Sequence, residues 1–215
     1  MLKKQFILAV VLLLSFSLQA QRARNLSFGP LLGVNVSNLH GDVSNKKSKI
    51  GLVAGGFFNY SIKQTFGVSG QLLYSQLGAN FNNDAKVKLN YLQIPLFATF
   101  YFGRGLQPGV IRPKLFVGPY VGFLLAAKDQ NGNDLKDGAG GDLYNPLDVG
   151  LNLGGGLNYA LKNQSWINLD VRYGLGLSDV AKATNVNLRN GTFTALLGIS
   201  FPLGNYDERS RRIKP

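Results

Sequence analysis

Few residues of this 215-residue chain are of types that do chemistry. His40 is its only histidine, and Ser37, Asp42 and Ser44 lie close by. Those are the residue types of a triad in which histidine is the general base. Polar side chains crowded into a loop are commoner than triads, so no catalytic residue is assigned and no enzyme is expected. The run Asp129-Gln-Asn131-Gly-Asn133-Asp134 sets oxygen ligands at alternate positions, as an EF-hand begins. However, Asp134 stands where that loop needs its glycine, and Gly140 stands where it needs its glutamate. With Asp137 and Asp142 close behind, the stretch reads as a solvated, turn-rich loop; no metal or other cofactor is expected. Asp129, Asp134, Asp137, Asp142 and Tyr144 make the same loop a candidate recognition surface. No phosphate loop, dinucleotide glycine pattern or Cys/His metal spacing is present, and cysteine is absent altogether.

Such residues must be positioned by something, and the elements are legible between residues 147 and 178. Leu147, Val149, Leu151, Leu153, Leu157, Tyr159 and Leu161 share one parity, separated by Asp148, Gly150, Asn152, Gly154, Gly156 and Asn158. After a turn, Ile167, Leu169, Val171, Tyr173, Leu175 and Leu177 alternate with Asn168, Asp170, Arg172, Gly174, Gly176 and Ser178. A strand sends alternate side chains to opposite faces, so each has one apolar face and one polar, glycine-rich face. Soluble strands usually stop after about five or six residues. These continue for twice that, which suits a membrane-spanning barrel, apolar toward lipid and polar toward the lumen.

About eight such strands are predicted, at residues 28–38, 50–62, 66–78, 89–103, 114–127, 147–161, 166–178 and 192–203. Several exceed the roughly 9–11 residues that cross a bilayer and should protrude from it. No helical period persists. Connections 38–49, 79–88, 128–146 and 179–190 are long and rich in Asn, Asp, Gly and Lys, whereas 63–65 and 162–165 are short. Outer-membrane barrels place short turns in the periplasm and long loops outside, so both termini are expected in the periplasm. The turn at 104–112 is longer than that rule prefers. Phe28, Tyr60, Phe66, Phe100, Phe102, Tyr159 and Phe201 fall on the apolar parity at the periplasmic strand ends, an aromatic belt. Trp166 has the right height but the inward parity. A three-residue turn 163–165 would pair Lys162 with Trp166, Asn158 with Asp170 and Gly155 with Tyr173, whose ring would cover the bare glycine.

The ends and composition agree with this reading. Lys3 and Lys4, the apolar run from Phe6 to Leu14 and the ending Leu-Gln-Ala form a secretory signal peptide over residues 1–20, with cleavage expected after Ala20. About 13 apolar residues are too few to span a membrane. Residues 21–205 then form the barrel and 206–215 a basic periplasmic tail carrying Arg209, Arg211, Arg212 and Lys214. Without the leader, 21 basic residues face 11 acidic ones, a net charge of +10. These charges scatter over loops and ends with no RNA-binding signature, so nucleic acid is not an expected partner. Anionic lipid is. The 27 glycines and a charged fraction of only 16% fit one domain with many bends.

Several segments carry a resemblance to a known family. They are Gly29-Pro-Leu-Leu-Gly-Val-Asn35, Tyr91-Leu-Gln-Ile-Pro-Leu96, Gly118-Pro-Tyr-Val-Gly122, Asp148-Val-Gly-Leu-Asn152 and Asp170-Val-Arg-Tyr-Gly174. Through them the chain resembles the PorT-like outer-membrane β-barrels abundant in Bacteroidota, over nearly its whole length after the leader. The resemblance implies an all-β, transmembrane, antiparallel up-and-down barrel in the cell envelope. The family's named member is implicated in protein secretion across the outer membrane. The chain departs from barrels that end on an aromatic strand, because about a dozen residues follow Phe201.

An eight-stranded barrel is just wide enough to be filled by its own side chains. Inward parity supplies a lumen network of Lys114, Asn152, Asn158, Asn168, Asp170 and Arg172, with Asn35, Asn59, Gln71 and Gln93. Its charges are expected to be paired, because unpaired buried charge is costly. The expectation is a structural or interaction protein whose partners are outer-membrane lipid and envelope proteins; the sequence sets no oligomeric state. The rivals are a lipid-modifying barrel enzyme, a small-solute channel and a soluble lipocalin-like barrel, the last of which would place its apolar residues inside.

Overall fold

The computed structural model describes residues 26–41, 46–81, 86–103, 105–136, 140–182 and 187–203. The expected leader at 1–20 and the basic tail at 206–215 lie outside the described residues. Eight strands follow in order: β1 (Leu26–Gly41), β2 (Lys46–Lys63), β3 (Phe66–Phe81), β4 (Lys86–Tyr101), β5 (Ile111–Lys128), β6 (Leu147–Ala160), β7 (Trp166–Gly176) and β8 (Leu188–Leu203). Each pairs antiparallel with the next, and β8 returns to β1, closing the barrel. Closure leaves no sheet edge, as a strand in lipid requires.

The faces follow the parity read from the sequence. Leu151 on β6 and Val171 on β7 are 46% and 44% exposed on the outer wall, while Asn152 and Asp170 beside them are 6% and 5% exposed and face the lumen. Toward the loop end the alternation changes sense. On β3, Val68, Leu72 and Tyr74 point outward, but Leu77 and Ala79 are buried inside. On β4, Leu89 and Tyr91 are buried inside, while Ile94, Leu96 and Phe100 point outward. Leu39 on β1 and Leu188 on β8 join the inner set. A protruding collar meets water rather than lipid, so there apolar residues belong inside. This inversion is why several strands run past their expected ends.

Two local expectations are corrected. The β6–β7 register is shifted by two residues, with Ala160 opposite Trp166, Asn158 opposite Asn168, Gly155 opposite Val171 and Leu153 opposite Tyr173. The turn between these strands spans five residues and contains a 3₁₀ segment, Lys162–Gln164, closed by Leu161 N–H donating to Ser165 O at 2.8 Å. A shift of two keeps every side chain on its own face, so parity could not reveal it. The long 104–112 turn is the second. Ile111 and Arg112 already belong to β5. Before them, Gly109 donates to Ala160 O and Ala160 donates to Val110 O, both at 2.9 Å. Gly109 adopts φ +89°, a region closed to most side chains, to make that clasp.

The inward glycines of β6 act as saddles. Lys114, Gly156 and Asp170 lie opposite one another across β5, β6 and β7. With no side chain on Gly156, the lysine crosses over it to the aspartate; a Cβ there would fall on the Asp170 carboxylate. Phe116 and Arg172 flank Gly154 in the same way, and the Tyr120 ring covers Gly150. The ring-over-glycine device expected at Gly155 therefore operates on the inner face instead.

Candidate functional site

The lumen divides into two chambers separated by a polar waist. At the waist, Lys114 Nζ meets Asp170 Oδ1 at 2.8 Å. Arg172 Nη1 donates to Gln71 Oε1 at 2.9 Å, and its guanidinium lies 5.7 Å from the Phe97 ring centre. Phe97 packs edge-on against Phe116 at 5.0 Å. These charges come from β5 and β7. The facing wall, from β1, β2, β3 and β8, is apolar: Leu31, Val53, Leu73 and Leu196, with Phe57 against them. That apolar cluster is a departure from the wholly polar filling expected inside. Just beyond it, Thr194 Oγ1 donates to Asn35 Oδ1 at 2.8 Å.

Beyond the waist the outer chamber is packed shut. Leu39, Leu77, Ala79, Leu89, Tyr91 and Leu188 converge with Val180 from the loop after β7, and Tyr144 and Ala181 pack onto them. Beside this cluster, Asp148 accepts from Asn190 Nδ2 at 2.8 Å, Ser178 Oγ at 3.0 Å and Tyr120 Oη at 3.2 Å. The carboxylate is thus held by three donors of the wall and the loop.

The inner chamber, toward the turns, is open. A cavity of about 710 Å³ reaches from the waist to the turns and includes Asn59, Tyr101, Arg112, Lys114, Asn158, Trp166, Asn168 and Asp170 in its wall. The guanidinium of Arg112 lies 5.0 Å from the Tyr101 ring centre and 5.8 Å from that of Trp166. One of its Nη groups donates to Gln64 O. Trp166 is therefore part of the cavity wall, which explains its inward parity. Residues 105–108 of the long turn line the cavity mouth.

The remaining candidates are placed as follows. The belt residues Phe28, Tyr60, Phe66, Phe100, Phe102, Tyr159 and Phe201 all stand on the outer wall at the turn end, with Phe28 against Phe201 at 6.2 Å and Phe66 against Phe100 at 5.0 Å. Ser37 faces the lumen, donating to Gly78 O at 3.0 Å, whereas His40 stands exposed on the opposite face. The imagined serine–histidine pair is therefore not assembled; Asp42 and Ser44 lie outside the described residues. Asp129 accepts from its own loop, from the N–H groups of Asn131 at 2.8 Å and Asn133 at 2.9 Å. Asp134 pairs with Lys128 at 3.6 Å, and Asp142 sits between Lys136 and Lys182, each at 3.7 Å. Asp137 lies outside the described residues, among which no group of three metal-ligating side chains is gathered. Tyr144 is half-buried against the outer cluster, and burial pushes its phenol up.

The family description "Outer membrane protein beta-barrel domain" matches residues 19–182. The chain belongs to that family. It is an outer-membrane β-barrel protein. Among solved structures, Neisserial surface protein A is 16% identical, with 81% of this chain and 96% of that one covered and a TM-score of 0.51. The N-terminal β-barrel domain of Pseudomonas aeruginosa OprF is 18% identical, covering 83% and 97%, with a TM-score of 0.45. At such identities the likeness concerns the fold alone. No curated protein matches.

Within this outer-membrane barrel, the sequence reading missed three inward groups. Arg112 was hidden in a presumed turn, although extending the even parity of Lys114 back by two residues reaches it. Asp148 was seen as polar parity but not as a hydrogen-bonding centre. Lys49, whose Nζ donates to Leu77 O at 3.1 Å, was placed just before its strand.

Proposed function

We propose that this outer-membrane barrel is a non-enzymatic interaction protein of the envelope, held in outer-membrane lipid and docking protein partners through its outer loops. The sealed outer chamber is the observation that carries this. The apolar cluster that fills the lumen above the waist opposes the passage of solutes between the described residues, and lipid occupies the outer wall. That leaves the two ends for recognition. At the loop end, ordered structure supports the idea. Lys128 bridges to Asp134, Lys136 to Asp142 and Tyr144 to Ala181, so the longest loop is braced on its neighbour and displays Leu143 at 40% exposure. The PorT-like resemblance adds protein secretion across the outer membrane as the process served.

In-cell crosslinking tests the reading. Replacing residues 130–141 by a short Gly-Ser linker should leave a folded, heat-modifiable barrel that has lost partners captured by the wild type. Identical partner sets would reject it. The second reading, a small-solute channel, draws on the inner cavity, which is half of a path. Pure protein in planar bilayers should show no large, stable, ohmic pore; porin-sized steps would favour the channel instead.

A further inference from the structure

We infer that the inner chamber is a binding site for a small organic monoanion: one carboxylate on an apolar or aromatic body, entering from the turn end. This does not rest on the partner-docking reading above. The cavity's volume of about 710 Å³ lies within the range of sites that bury a small molecule. Its walls are of two kinds. Leu31, Phe57, Phe97, Leu106 and Phe116 offer apolar surface, and Tyr101 and Trp166 offer ring faces at the mouth.

Charge selects the rest. Lys114 and Asp170 neutralise one another. Arg112 lines the cavity and has no acidic partner among the described residues, yet it is 8% exposed and its Nε is buried without an acceptor. The groups it does meet, two rings and one backbone carbonyl, leave its charge unbalanced. A guanidinium with no counter-ion among the described residues, set in the wall of a cavity, calls for an anion able to accept its planar array of N–H groups, as a carboxylate does. The nearby Asp170 carboxylate opposes a second negative charge, which is why a monoanion is favoured over a phosphate dianion.

Trp166 is the only tryptophan of the chain, so its emission reports this cavity alone. The probes are 4-phenylbutyrate, 4-phenylbutanol and 4-phenylbutylamine, titrated into the full chain in lipid nanodiscs. The carboxylate should give a saturable change in Trp166 emission, with an apparent affinity roughly tenfold above those of the alcohol and the amine. Arg112→Gln should abolish that advantage and Arg112→Lys should retain part of it. Ser69→Phe, which fills the cavity without touching its charge, should remove saturable binding of all three. Equal responses to the three probes, or a carboxylate response that survives both Arg112→Gln and Ser69→Phe, would overturn the inference. If Arg112→Gln does not fold, the probe series and Ser69→Phe still decide it.

Discussion

The two chambers of the lumen are built from the same strands yet obey opposite rules. In the outer one Leu39, Leu77, Leu89, Tyr91 and Val180 are 1% exposed or less, and the strand faces are those of a water-soluble barrel. In the inner one Lys114, Arg112, Asn168 and Asp170 line an open cavity, and the faces are those of a membrane barrel. What differs is the medium outside the wall. Where lipid covers the barrel, its outer face takes the apolar residues and polar groups gather inside; where water covers it, the allocation reverses. The waist is where one rule gives way to the other, and there charge from β5 and β7 faces an apolar wall from β1, β2, β3 and β8.

The same charge placed in the two chambers should separate them most. Leu89→Asp buries an unpaired carboxylate in the dry cluster and should cost about 5 kcal/mol. Asn168→Asp places one in the cationic, open chamber and should stay within about 1 kcal/mol. Urea titration in detergent compares them, and equal costs would erase the contrast. At the waist, Lys114→Met strands Asp170 over Gly156, at a cost of about 3 kcal/mol by the same titration. On the outer wall, Val171→Arg should cost roughly 2–4 kcal/mol near the bilayer midplane, while Asn152→Ser at an inward position of β6 costs much less. A barrel that tolerates both alike in liposome folding would have its faces misassigned. The smallest effect lies in the loop. Desolvation opposes it, but the amides of Asn133, Asn131 and Gly132 together outweigh it and hold the Asp129 carboxyl below the usual carboxylate range. A lowered pKa means the turn is supported at neutral pH and loosens only as acid protonates Asp129, below the ordinary carboxylate value of about 4. The amide resonances of Asn131 and Asn133 should move together in that range, without change in the barrel.

Strand number, the membrane and the direction of each face were legible because they depend on alternation, which is written residue by residue. Leu151 and Asn152 announce their faces to anyone counting in twos. The same counting also holds the collar's signature, since Tyr74 and Leu77 on β3 stand on opposite parities; the protrusion of strands was expected, but not this inversion. The recognition loop was less legible. Asp134 and Asp142 were visible as charges, but the pairing of Asp142 with Lys182 and the bridge of Tyr144 to Ala181 join segments far apart in sequence.

By itself, then, the sequence determined a barrel of about eight strands with apolar residues toward lipid, because period-two patterning needs only local stereochemistry and one hydrophobic medium. Tertiary structure alone decided the rest. The two-residue register shift that sets Gly156 between Lys114 and Asp170 preserves every face, so nothing in the alternation distinguishes it. The sealed outer chamber needs a loop residue, Val180, to meet side chains from β1, β3, β4 and β8. Arg112 gains its place only when the clasp of Val110 on Ala160 turns a presumed loop into the first turn of β5's ladder. Each is a contact across the barrel, and its free energy depends on which strand lies opposite rather than on which residue comes next.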